Sequence, residues 1–266
     1  MKQPVLILSD LHLGHKVSRI EDVSALRPLL RGAGTVIFNG DTWQEMSKNF
    51  RPRSEVMLAE LKALCAEENI DAVFLSGNHD PGWPGSGWAE LAGGKIIITH
   101  GDGLLFSGAP WKREIMDATA DVQALWDIFP GADKNAEIRL RLAREIARRF
   151  RTHKHPEGRR IWHRTYDAIF PPKRAMKMLT SWLSQGSLGS TFAERYFPKA
   201  EILVIGHFHW HGTWLKNHRR IINTGSFVNP GRADYLEWNN GYLIRGVIHE
   251  TPTAFTKGRI LGVWRV

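Results

Sequence analysis

The chain has 266 residues, 42% of them hydrophobic, and a formal net charge of +9. Length and apolar fraction suit one large domain with a packed core and exclude wholesale disorder, while the lone Cys65 excludes an intrachain disulfide and a cysteine-ligated zinc site. No secretory h-region follows Met1 and no apolar run reaches membrane-spanning length, so a cytoplasmic protein is expected, at most peripheral on the inner membrane face.

Pro4 to Ser9 is a short apolar run that reads as a buried strand ending at Asp10. Ser18 and Glu21 have capping-box spacing, and Ile20, Val23, Leu26, Leu29 and Leu30 follow with a helical period. Thr35 to Phe38 predicts a second strand, Ser54 to Glu67 a helix, Ala72 to Leu75 a third strand and Lys95 to Thr99 a fourth. Residues 104–198 break this alternation with three helical stretches: Lys112 to Phe129, Lys134 to Arg151, and one after Pro171-Pro172 with Met176, Leu179 and Leu183 on a face. Strands return at Glu201 to Ile205, Arg220 to Asn223, Gly241 to Ile248 and Arg259 to Val266. The pattern predicts an α/β core formed by residues 1–103 and 199–266, with 104–198 as a helical insertion.

Charge follows the same division. Segment 1–103 is net −3, 104–198 is net +7 and 199–266 is net +5. Glu137 and Arg141, like Glu145 and Arg149, have i,i+4 spacing, yet the insertion keeps a basic surplus suited to an anion.

Five polar motifs stand at the ends of predicted strands: Asp10-Leu11-His12, Gly40-Asp41, Gly77-Asn78-His79-Asp80, His100-Gly101-Asp102 and Gly206-His207-Phe208-His209. In α/β proteins sites form where the carboxyl ends of strands converge. Aspartate, asparagine and histidine together make an oxygen and nitrogen donor set that suits Mn²⁺, Fe or Zn²⁺. There are donors for two ions, and a carboxylate such as Asp41 has two oxygens with which to bridge them.

In order and spacing these motifs resemble the calcineurin-like metallophosphoesterases, whose pattern is DxH, GD, GNH(D/E), H and GHxH. The resemblance implies a four-layer αββα sandwich with the helical insertion as a lid. It implies two divalent metal ions, Mn²⁺ first among the candidates, one held by Asp10, His12, Asp41 and His209 and the other by Asp41, Asn78, His100 and His207. A hydroxide between the ions would attack phosphorus in line. His79 would stabilise the phosphoryl oxygens or protonate the leaving oxygen, with Asp80 orienting it. Asp102 would orient His100 or a nearby loop, and Asn223-Thr224-Gly225-Ser226 resembles the loop that follows GHxH in the family. His15 and His211 read as non-ligands.

Placement of the insertion also resembles the UDP-2,3-diacylglucosamine hydrolases, although their common GNRD motif is here Gly77-Asn78-His79-Asp80. The insertion mixes basic residues with aromatic ones, among them Phe106, Trp111, Trp126, Phe129, Trp162 and Phe170. The expected partner is a phosphorylated small molecule or an amphiphilic anion at a membrane face. A nuclease or cyclic-nucleotide phosphodiesterase, with nucleic acid as partner, and a non-catalytic scaffold on the same fold are the alternatives.

Overall fold

The computed structural model describes residues 1–151 and 172–266. Trp162, Phe170 and Pro171 lie outside the described residues.

Eleven strands form two sheets among these residues. The first sheet contains β1 (Val5–Leu8), β2 (Thr35–Asn39), β3 (Asp71–Leu75), β9 (Asp234–Asn239), β10 (Tyr242–Glu250) and β11 (Phe255–Arg265), in the order β11-β10-β9-β1-β2-β3. The second contains β4 (Trp88–Leu91), β5 (Ile96–Thr99), β6 (Ile202–Ile205), β7 (Gly212–Lys216) and β8 (Arg219–Asn223), in the order β4-β5-β6-β8-β7. Strands β1, β2 and β3 are mutually parallel, as are β5, β6 and β8. Parallel strands buried on both faces read as continuous apolar runs, which is why Val5 to Leu8 and Ile202 to Ile205 are buried throughout.

Alternate residues of those runs serve different layers. Val5, Ile7 and Ile37 face Ile96, Ile98, Val204 and Ile222 across the middle of the sandwich. On the outer side Leu6, Leu8, Val36 and Phe38 pack with Met57, Leu61 and Leu64 of α2 (Arg51–Glu67). Ile97, Leu203, Ile205 and Ile221 pack with Phe192 and Ala193 of α6 (Pro172–Tyr196). Helix, sheet, sheet and helix therefore stack in four layers. Full burial of each of these side chains contributes about 1.5–3 kcal/mol.

The helix expected from Ser18 starts only at Val23. Ser18 instead bridges Val228, and its hydroxyl donates to the Leu11 carbonyl at 2.8 Å. Asp22 caps a single 3₁₀ turn, Val23–Leu26, that continues into α1 (Arg27–Leu30).

The chain leaves β5 and returns on its neighbour β6 through α3 (Arg113–Met116), α4 (Thr119–Ile128), α5 (Ala136–Arg149) and α6. Ala109, Ile115, Val122, Leu142, Ile146 and Phe150 form a separate apolar cluster with Trp111, Trp126 and Phe129 against it. The face of α6 is the reverse of the expectation. Met176, Leu179 and Leu183 are exposed, whereas Ser181, Gln185, Gly186, Gly189 and Ser190 are buried. Added Cβ atoms at Gly186 and Gly189 would lie 2.7 Å from Trp214 and Ile221, so small residues let α6 press onto β7 and β8.

Three arginines of the insertion are anchored to backbone carbonyls. Arg144 donates to the Trp83 and Gly85 carbonyls at 3.2 and 3.0 Å, Arg148 to Pro81 at 3.0 Å and Arg139 to Leu105 at 2.6 Å. Arg148 also pairs with Glu145.

Candidate metal centre

Each motif follows a strand of the parallel part of a sheet: Asp10 after β1, Asp41 after β2, Asn78 after β3, His100 after β5 and His207 after β6. The two sheets thus bring their carboxyl ends to one rim. Local backbone shape turns the side chains inward. Asp10, His12, Asp41, His207 and His209 all have positive φ, between 49° and 66°. For non-glycine residues this conformation costs roughly 1–2 kcal/mol each and clusters at functional sites. Two glycines are required by close approach: a Cβ at Gly77 would overlap Asp41 Oδ1, and one at Gly206 would overlap Asp10 Oδ2.

Donor atoms of Asp10, His12, Asp41 and His209 lie within 4.8 Å of one another. His209 Nε2 is 3.1 Å from Asp10 Oδ1 and 3.2 Å from His12 Nε2, and His12 Nε2 is 3.6 Å from Asp41 Oδ2. His15 and His211 stay outside this group.

His100 stands beside the other oxygen of Asp41. His100 Nε2 is 3.5 Å from Asp41 Oδ1. His100 Nδ1–H donates to the Asn39 carbonyl at 3.0 Å, which leaves a lone pair on Nε2. His207 Nε2–H donates to the Gly108 carbonyl at 2.9 Å, which leaves its lone pair on Nδ1. The buried Asn78 Oδ1 and His100 Nε2 have no hydrogen-bond partner among the described residues. Buried acceptors without partners are rare, and these two are of the types that ligate cations. The donor set fits divalent metal ions.

Electrostatics agree with that chemistry at His12 and His207, while metal-free His100 is held protonated beside Asp41 and must release its Nε2 proton to act as a ligand. Burial holds the His12 and His207 imidazoles well below their ordinary range, so both are neutral and can donate a lone pair. Burial would lower His100, but Asp41 raises it well above its usual value. Burial would raise Asp41, but His100 and His79 hold the carboxyl well below the usual range.

The chain backs the site with further contacts. Asn223 Nδ2 donates to the Gly206 carbonyl and to Gln185 Oε1, both at 2.8 Å, and Ser9 and Thr224 hydroxyls bond at 2.6 Å. Trp111 lies with its ring 5.0 Å from that of His207.

The roles of Asp80, Gln44 and Lys112 go beyond the motifs. Asp80 does not orient His79. Its carboxylate accepts the backbone N–H groups of Asp41, Thr42, Trp43 and Gly77 at 2.9, 2.8, 3.4 and 2.9 Å, and the Trp83 indole N–H at 3.1 Å. It ties the Asp41 loop to the Asn78 loop. Of the two readings of Asp102 the loop one fits: the Asn39 carbonyl positions His100, while Asp102 accepts from the Gly103 N–H of its own loop at 2.9 Å. The partner of His79 is Gln44, whose Oε1 is 3.0 Å from His79 Nδ1, a residue no motif singled out. Lys112 was equally silent. Burial lowers His79 to about 4 against the pull of Asp41, and the charge of Lys112 adds to the lowering.

No helix among the described residues is long and apolar enough to cross a membrane. No curated protein matches the chain. Similar solved structures include a conserved uncharacterised protein, a predicted phosphoesterase, of Streptococcus pneumoniae TIGR4, with 17% identity over 100% of this chain and 99% of that one, at a TM-score of 0.40. A Vps29 variant of Entamoeba histolytica has 13% identity over 98% and 97%, at 0.45. A dimetal phosphatase of Danio rerio has 11% identity over 91% and 96%, at 0.44. The calcineurin-like phosphoesterase family model matches residues 3–211. With its strand-end donors and that match over most of its length, the chain belongs to the calcineurin-like phosphoesterases, metal-dependent hydrolases of phosphoester bonds.

Proposed function

We propose that the chain is a dinuclear phosphohydrolase, with one ion held by Asp10, His12, Asp41 and His209 and a second by Asp41, Asn78, His100 and His207. The observation that carries this reading is the split of Asp41, whose Oδ2 is nearest His12 at 3.6 Å and whose Oδ1 is nearest His100 at 3.5 Å. Bound ions would lower the pKa of a water and offset charge on the attacking and leaving oxygens. Mn²⁺ is the first candidate for both positions. His79, 31% exposed beside Asp41, is the group that would meet the phosphoryl or leaving oxygen.

For the substrate we favour a phosphorylated amphiphile, with residues 104–198 acting as a lid over a core of 1–103 and 199–266. In support, a cleft of about 350 Å³ is lined by Leu104, Phe106, Trp126, Leu188, Phe192 and Arg139, next to the loop that leaves His100. Apolar walls with a guanidinium suit an acyl or aryl body carrying an anion. Pyrophosphate cleavage in a UDP-linked acyl sugar is one such reaction, and contact with a membrane face would follow from it. The test is turnover of bis(p-nitrophenyl) phosphate, UDP-linked acyl sugars and single-stranded DNA with Mn²⁺. Preference for the acyl sugar is expected; a preference for DNA would overturn the substrate reading, and no turnover of any would overturn the hydrolase reading.

A further inference from the structure

Gln44 is fully buried on the loop after Asp41, and its backbone N–H donates to Ser54 Oγ of α2 at 2.8 Å. Its side-chain amide stands between two imidazoles. Gln44 Nε2 is 2.8 Å from His12 Nδ1, and Gln44 Oε1 is 3.0 Å from His79 Nδ1. An amide donates at one end and accepts at the other. The two Nδ1 atoms must therefore be in opposite states, one bare and one protonated. Heavy-atom positions do not separate the two amide orientations, since a half-turn exchanges oxygen for nitrogen at the same places.

His12 breaks the tie. Its Nε2 is the atom that faces Asp10, Asp41 and His209. If Nε2 gives its lone pair to an ion, the ring proton sits on Nδ1. Gln44 must then turn its oxygen to His12 and its NH₂ to His79. His79 Nδ1 becomes an acceptor, and the proton of a neutral His79 sits on Nε2. That atom is 3.9 Å from Asp41 Oδ2, on the side of the metal donors.

We propose that Gln44 is a positioning residue that couples metal binding at His12 to the tautomer of His79, so that a loaded site presents His79 as an Nε2–H donor. Both rings stay neutral throughout. Where the metal-free amide stands the other way round, the proton of each ring changes nitrogen on loading, from Nε2 to Nδ1 in His12 and from Nδ1 to Nε2 in His79, by exchange with water. A carboxylate in place of the amide would accept from both Nδ1–H groups and leave His79 the other way round. The inference rests on His12 being a ligand, as proposed above.

The experiment is ¹⁵N NMR of the imidazole nitrogens in the full chain, metal-free and loaded with diamagnetic Zn²⁺. In the loaded wild type, His12 Nε2 should show zinc coordination and His79 should carry its proton on Nε2. Coordination at His12 with His79 protonated on Nδ1 would overturn the coupling alone. No coordination at His12 would overturn the ligand reading and the coupling with it. Gln44→Glu should bind zinc at His12 yet hold His79 protonated on Nδ1, whereas a purely space-filling role predicts the wild-type tautomer in that variant. Its kcat should fall about 10-fold or more with KM little changed, the scale typical of a partner of a metal ligand. Should the variant not fold, the wild-type spectra alone decide.

Discussion

The backbone N–H of His79 donates to Oδ1 of Asp41 at 2.7 Å. One carboxylate thus serves the loop after β3 through its own hydrogen bond while its two oxygens face His12 and His100. Replacing Asp41 by Asn keeps the shape and removes the charge both histidine sets lean on. Asp41→Asn is expected to lower Mn²⁺-supported hydrolysis of bis(p-nitrophenyl) phosphate by about a hundred-fold or more, since even partners outside the ligand shell cost 10–100-fold. Elemental analysis of the same preparation should show metal lost. Full metal content and near-normal turnover would contradict the bridging role.

Asp80 predicts a different phenotype. With five N–H donors aimed at it, an amide there would set its own NH₂ against some of them. Burial and the charge of Asp41 push Asp80 up to about 8, so ordinary hydrogen bonds of about 0.5–1.5 kcal/mol each set the scale, and Asp80→Asn should destabilise the fold by about 1–3 kcal/mol. Urea unfolding measures this. A variant of wild-type stability with altered pH dependence of kcat would restore a direct partnership with His79.

Without metal the site should be sensitive to acid. Burial keeps His12, His79 and His207 neutral in the fold, His79 down to about 4. The unfolded chain protonates these rings near about 6.5, so below that pH it binds more protons than the fold and stability falls. His100 has the opposite sign, because Asp41 overcomes burial and raises it, and its contribution is lost as pH rises through its folded value. Between about pH 6.5 and about pH 4.5 His100 is charged in both states and does not oppose; the raised Asp80 and Asp102 carboxyls do, but three rings outweigh two carboxyls. The urea midpoint of chelated protein is expected to drop between about pH 6.5 and about pH 4.5. A constant midpoint would mean that the buried rings do not share this fate.

Cys65 should be inert in the fold. Burial in α2 pushes its thiol up to about 11. At pH 8 the thiolate fraction is on the order of a thousandth, so a disulfide reagent should react slowly with native protein and quickly in urea. Equal rates in both states would contradict the burial.

Much of the fold was legible because the parallel strands are short apolar runs, each closed by a polar motif. That pattern locates Asp10, Asp41 and His207 at a common rim before any coordinates are known. Strands β4, β7 and β9 were not legible. Trp88–Leu91 and Gly212–Lys216 are outer strands of the second sheet, half-solvated and without a continuous apolar run. The face of α6 was read backwards because exposed Leu183 outweighs Gly186 and Gly189 in any count of apolar residues, although the glycines make the closer contact. Asp80 and Gln44 escaped for another reason. Their partners come from separate loops, and hydrogen bonds across loops leave no period in the sequence.

The +7 charge of residues 104–198 also takes a new meaning. Arg139, Arg144 and Arg148 fix the insertion to the Leu105 and 81–85 loops by bonds to backbone carbonyls. Arg144→Ala with Arg148→Ala should speed amide exchange in residues 81–88 while sparing hydrolysis of a small phosphodiester. A loss of small-substrate turnover without faster exchange would return these arginines to substrate binding.

Whether two ions share Asp41 can be seen by anomalous diffraction from Mn²⁺-soaked crystals. Two manganese peaks about 3.5–4 Å apart are expected, one within reach of Asp10, His12 and His209 and the other of Asn78, His100 and His207, with Asp41 between them. A single peak, or manganese bound away from Asp41, would contradict the account.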